Sequence, residues 1–136
     1  MVSTHATTGL DACYPAQASR VADIRGAVAA VAADYGAGDG LLMRIGLAVS
    51  EAATNVVLHA YREAGMARGL IHVKARCREQ RFLEVSVRDD GIGMSPRHDS
   101  PGLGLGLSLM AHEADGLEIR ACDDGGTEVQ LRFALA

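Results

Sequence analysis

Apolar positions along this chain recur at two spacings, and each change of spacing marks a change of element. Val21, Ile24, Val28 and Val31 fall at i, i+3, i+7 and i+10, which predicts an amphipathic helix over about residues 16–33. After the loop Gly36-Ala37-Gly38-Asp39-Gly40, the stripe Leu42, Ile45, Val49, Ala52 and Val56 predicts a second helix over about 41–62. The period then drops to two, as Leu83, Val85 and Val87 alternate with Glu84, Ser86 and Arg88. This predicts a strand over 81–89, joined by Arg78-Glu79-Gln80 to a strand over 69–77. The alternation carries Asp89 onto the inward face and leaves Asp90 with the solvent-facing set. A short strand over 10–14, a helix over about 105–113, and strands over 116–122 and 127–134 complete the pattern. The order predicts an α+β fold, a two-layer sandwich with helices on one face of a mixed sheet.

Composition narrows this picture. At 136 residues and 49% hydrophobic, the chain suits one domain over residues 9–136, behind a small polar segment 1–8 expected to be disordered. A net charge of −4 offers no general attraction to nucleic acid or to an anionic membrane. Of the thirteen basic residues twelve are arginine, and Lys74 is the single lysine. Neither a P-loop Gly-Lys-Ser/Thr nor a protein-kinase lysine with its HRD loop is therefore present. Cys13, Cys77 and Cys122 are far apart with no CxxC pair, which points to reduced thiols rather than a disulfide framework or structural zinc. No 18-residue apolar span is expected, and the N-terminus has no charged region followed by an apolar one, so the expected location is the cytoplasm.

Three segments carry chemistry. On the second helix Glu51, Asn55 and His59 stand at i, i+4 and i+8, a polar column in an apolar run. Mg²⁺ on a nucleotide takes a few hard oxygen ligands, which suits the Asn55 amide, and a carboxylate one turn earlier can accept a proton from an attacking hydroxyl. Taken alone, the same spacing also describes a solvated helix face. Asp89 is an inward carboxylate that needs a donor, and an adenine exocyclic amine is one. Gly91 and Gly93 follow it, and Gly93 would let a flat base approach the backbone. A base without that donor would leave the carboxylate unpaired at a cost of about 1–3 kcal/mol. A plain Gly-rich turn is the alternative there. Gly102-Leu103-Gly104-Leu105-Gly106 presents backbone N–H groups ahead of a helix, whose N-terminus favours phosphate, or it is simply a flexible loop. Its GxGxG spacing with no strand directly before it is not a Rossmann fingerprint. Gly126-Thr127 opens the last strand and can bring a hydroxyl to the base.

In sequence order these are E-x-x-x-N, D-x-G-x-G, G-x-G-x-G and G-T, a series that resembles the Bergerat-type nucleotide site of the GHKL ATPase superfamily. Residues 50–61 and 87–94 are most similar to the anti-sigma-factor serine/threonine kinases. The resemblance implies that ATP and Mg²⁺ are bound, with Asn55 holding the metal and Glu51 acting as general base. It implies that Asp89 binds adenine with Gly91, Gly93 and Thr127 nearby. Gly102, Leu103, Gly104, Leu105 and Gly106 would line the phosphates under a lid. It implies a sigma factor and an anti-anti-sigma (STAS-type) protein as partners, contacted through Arg25 or else Arg20, and homodimers are common in the family. His59 matches a histidine of the subgroup whose role the residues do not disclose. Only eight residues separate Gly93 from Gly102, a very short lid that keeps a non-catalytic ATP-dependent switch as an alternative. A detached histidine-kinase module is a third reading, its one His-Glu pair being His112-Glu113.

Overall fold

The computed structural model describes residues 9–61, 69–91, 103–123 and 125–135. Strand β1 (Leu10–Pro15) leads through a 3-10 turn at Ala18–Arg20 into α1 (Val21–Asp34). Helix α2 (Asp39–Asn55) runs on directly into a wider π turn at Val56–Ala60. Strands β2 (Leu70–Arg78) and β3 (Phe82–Asp89), helix α3 (Leu103–Glu113), and strands β4 (Gly116–Ala121) and β5 (Thr127–Ala134) follow. The expected segment 1–8 lies outside the described residues.

The strands form one five-stranded sheet in the order β1-β2-β3-β5-β4, and all four pairings are antiparallel. This corrects the mixed sheet expected above while bearing out the two-layer α+β sandwich. Two helices lie between β1 and β2, so the chain goes out and comes back, and Pro15 ends beside Leu70. One helix crossover makes β4 run parallel to β3, but β5 inserts between them and pairs antiparallel with both.

The alternation in β3 emerges as read: Leu83, Val85, Val87 and Asp89 are buried. They join Ile71 and Val73 of β2, and Val129, Leu131 and Phe133 of β5, in one inner face. Ile24 and Val28 of α1, Ile45, Ala48, Val49 and Ala52 of α2, and Met110 of α3 close over that face. Burying side chains of this size contributes about 1.5–3 kcal/mol each. Asp39–Ala60 makes 22 continuous helical residues that include an 18-residue window of mean hydropathy 1.5, long and apolar enough by composition to cross a membrane. The expectation that no such span exists is thereby corrected. Its apolar stripe is instead packed against the protein's own sheet and neighbouring helices.

Helix α3 starts at Leu103, two residues earlier than its apolar pattern suggests. Gly104 and Gly106 therefore belong to its opening turns rather than to a preceding loop. Helix α1 starts later than expected, after the 3-10 turn.

Candidate functional site

The site grows from the carboxyl end of β3, where the period-two pattern delivers Asp89 into the interior opposite Ile71. Asp89 is fully buried. Its Oδ1 accepts the Gly91 N–H at 2.9 Å, whereas its Oδ2 is buried with no hydrogen-bond partner among the described residues. Burial raises its pKa above the ordinary carboxylate range, and the backbone N–H groups of Gly91 and Thr127 pull the other way. An orphaned buried carboxylate oxygen is costly, and the described residues supply no donor to this one.

Two glycines make the place. A Cβ on Gly91 would overlap the Ala60 carbonyl oxygen, and a Cβ on Gly126 would overlap the Asp89 carbonyl oxygen. Main chain thus meets main chain on both sides of Asp89. Thr127, 3% exposed, opens β5 directly beside Asp89. Gly93 and Gly102 lie outside the described residues.

The polar column approaches from the helical layer. Asn55 is the last residue of α2 and is buried, Glu51 is half-buried one turn earlier, and His59 sits within the π turn. Wide turns of this kind recur at functional sites. Because Gly91 packs on Ala60, the end of this helical run and the end of β3 meet. Leu103, Gly104, Leu105 and Gly106 open α3, which packs along α2. Arg44 of α2 holds the far end of α3, donating to the Glu113 carbonyl oxygen from Nε at 3.1 Å and from Nη2 at 2.8 Å.

Sequence reasoning missed Tyr61. Its hydroxyl donates to the Leu70 carbonyl at 2.7 Å and accepts the Asp90 N–H at 2.7 Å, clamping the start of β2 to the residue after Asp89. Burial, the largest influence on this phenol, raises its pKa. Its partners are 9 and 29 residues away, so no local spacing could have flagged it. Asp90 faces outward as its phase predicts, bonded to His72 at 2.6 Å.

The two arginines separate. Arg25 lays its stem over Gly46 and donates to Ser50 Oγ at 3.2 Å, one residue before Glu51. Arg20 pairs with Asp23 on the surface at 3.3 Å. Arg25 also borders a groove of about 460 Å³ between α1 and α2, where Met43 and Leu47 are exposed.

A helix-on-sheet sandwich with a buried carboxylate at a strand end and glycines packed around it is the frame on which the comparisons with known proteins bear. The model of the histidine kinase-like ATPase domain matches residues 14–133, and the chain belongs to that family. It is 31% identical over 99 residues to the anti-sigma F factor of Heyndrickxia coagulans, covering 65% of this chain and 66% of that protein. It is 35% identical over 92 residues to the sensor histidine kinase PdtaS of Mycobacterium tuberculosis, covering 63% of this chain and 18% of that protein. The chain thus spans just under two thirds of the first relative's length and under a fifth of the second's. Among solved structures, the RsbU and RsbW domains of Rv1364c from Mycobacterium tuberculosis share the fold. The TM-score is 0.73 at 23% identity, over 94% of this chain and 32% of that one.

Proposed function

We propose that this protein is an ATP-binding anti-sigma regulator with serine/threonine kinase activity, which binds a sigma factor and phosphorylates an anti-anti-sigma partner. The observation that carries the nucleotide reading is the buried Oδ2 of Asp89, which has no partner among the described residues. It fits the exocyclic amine of adenine, and the side-chain-free surfaces of Gly91 and Gly126 fit the close packing around it. Guanine, which carries a carbonyl oxygen in that position, would set acceptor against acceptor.

At the other end, Asn55 would hold Mg²⁺ with phosphate oxygens and water completing the shell. Magnesium's habit of keeping several waters suits a site with one protein ligand. Bound Mg-ATP supplies the phosphoryl group. Glu51, one turn from Asn55, would accept the proton of the substrate hydroxyl. The backbone N–H groups of Gly104 and Gly106, in the first turn of α3, would face phosphate oxygens, joined by Gly102. Gly93 would complete the base pocket.

Likeness to anti-sigma F factors supports the regulatory reading. Arg25 supports it from the molecule: it flanks an apolar groove and is tied to the residue preceding Glu51, so one partner surface adjoins the proposed base. Arg20 would be peripheral.

Calorimetry with ATP and GTP tests the nucleotide, with ATP expected to bind and GTP to bind at least tenfold more weakly. Mass spectrometry of an anti-anti-sigma protein incubated with the chain and Mg-ATP tests transfer, the expected product being acid-stable phosphoserine or phosphothreonine. ATP binding without transfer would favour the non-catalytic switch, which the eight-residue interval between Gly93 and Gly102 supports. Acid-labile phosphate would favour the histidine-kinase module.

A further inference from the structure

The face of the sheet left open by the helices carries a line of three chemical groups that the nucleotide site does not use. Cys13 of β1 and His72 of β2 are register partners, and Asp90 follows the end of β3 beside them. Cys13 Sγ lies 3.1 Å from His72 Nδ1, and His72 Nε2 lies 2.6 Å from Asp90 Oδ2. Asp90 is itself fixed, its N–H by Tyr61 and its other oxygen by Arg88 at 3.6 Å. An ionised carboxylate only accepts, so the ring proton belongs on Nε2 and the Nδ1 lone pair faces the thiol. The groups stand in series through the two ring nitrogens and do not converge, and among the described residues no three such side chains could hold a metal. A thiol, a base and a carboxylate that orients the base form the arrangement that activates a sulfur nucleophile. Cys13 is exposed on an edge strand, open to a small reactant. On the same face a cavity of about 260 Å³ is lined by Asp11, His72, Lys74, Ser86, Arg88 and Glu128, offering both signs of charge.

We propose that Cys13 is a thiol-modification site that exchanges with small zwitterionic disulfides, with His72 as its base and Asp90 as the positioning residue. His72 Nδ1 takes the thiol proton as the Cys13 sulfur attacks one sulfur of the disulfide. The Cys13 S–S bond forms while the reactant's S–S bond breaks, and the departing thiolate takes the proton from His72. Cys13 is oxidised and the departing half is reduced, so the disulfide is the only oxidant needed. Lys74 would face a carboxylate of the reactant and Asp11 an ammonium group.

The test treats the whole chain with cystine, and separately with the neutral hydroxyethyl disulfide, and follows each cysteine by peptide mass spectrometry. With cystine, Cys13 is expected to react about tenfold or more faster than Cys77 or Cys122. His72→Gln is expected to slow Cys13 by about tenfold and Asp90→Asn by a few-fold, with unchanged thermal melting. Hydroxyethyl disulfide should react with Cys13 several-fold more slowly than cystine does, while keeping the share of the preference that His72 confers. Equal rates at the three cysteines would overturn the site, as would an unaltered Cys13 rate in both variants. A neutral disulfide that reacts as fast as cystine would overturn the zwitterion assignment. Should His72→Gln fail to fold, the Asp90→Asn rate decides.

Discussion

Around Asp89, the proposed base end of the site, backbone presses on backbone: Gly91 lies against Ala60, Gly126 lies against Asp89, and Tyr61 ties Asp90 to Leu70. At the proposed phosphate end, Glu51 and Asn55 are side chains on a helix that the core would hold in place without them. The base end is therefore part of the fold, and changes there should be felt in stability as well as in binding. The phosphate end can lose its chemistry while the fold survives.

The sharpest way to separate the two ends is Glu51→Ala. Phosphoryl transfer to an anti-anti-sigma protein is expected to fall by about 10²–10⁴-fold, with ATP affinity and melting temperature nearly unchanged. Transfer at the wild-type rate would remove Glu51 as the base. At the other end, Gly126→Ala should behave in the opposite way. Its methyl must displace the Asp89 backbone, costing about 1–3 kcal/mol in a urea melt, together with ATP binding. If the variant melts like the wild type, the base end is softer than this packing implies.

Asp89→Asn sharpens the comparison within the base end. ATP affinity measured by calorimetry should fall by an amount equivalent to about 1–3 kcal/mol, while the nucleotide-free protein should be at least as stable at neutral pH. The reason lies in linkage. Burial raises the Asp89 pKa in the folded state, so the folded chain holds that proton more tightly than the unfolded one. This contribution to stability is complete below the ordinary carboxylate range and is lost as pH rises through the raised value. ATP affinity should move the other way, strengthening over the same interval as the carboxylate ionises to accept the adenine amine. Neither trend from this group should survive in Asp89→Asn. A pH-independent ATP affinity in the wild type would argue against Asp89 as the acceptor.

The smallest effect belongs to Tyr61→Phe. It removes the acceptor for the Asp90 N–H and the donor to Leu70 but keeps the ring over Gly69, so about 1 kcal/mol of stability should be lost. ATP affinity is expected to fall by a few-fold, since Asp89 is one residue from the clamp. An undiminished melting temperature would show that water replaces the phenol at no cost.

Much of this is legible in the sequence. The inward phase of Asp89 followed from three alternating apolar residues, and its complete burial agrees. The column Glu51, Asn55 and His59 lies on one continuous helical run, as its spacing required, although a π turn begins after Asn55. Boundaries were less legible. Gly104 and Gly106 read as loop because glycine disfavours helix interiors, yet they open α3, where packing along α2 outweighs that preference. The strand directions were not legible either, because a spacing of two is the same for parallel and antiparallel neighbours.

The sequence by itself determined which residues face inward, which share a helix face and which glycines punctuate the turns. These depend on periods of a few residues along one chain segment. Only the tertiary structure decided that β5 separates β3 from β4, that Tyr61 clamps Asp90, and that Gly91 rests on Ala60. It alone left Asp89 Oδ2 without a partner among the described residues and set Cys13, His72 and Asp90 in line. Those facts join residues tens of positions apart, and their geometry is set by how the sheet and the helices close over a shared core.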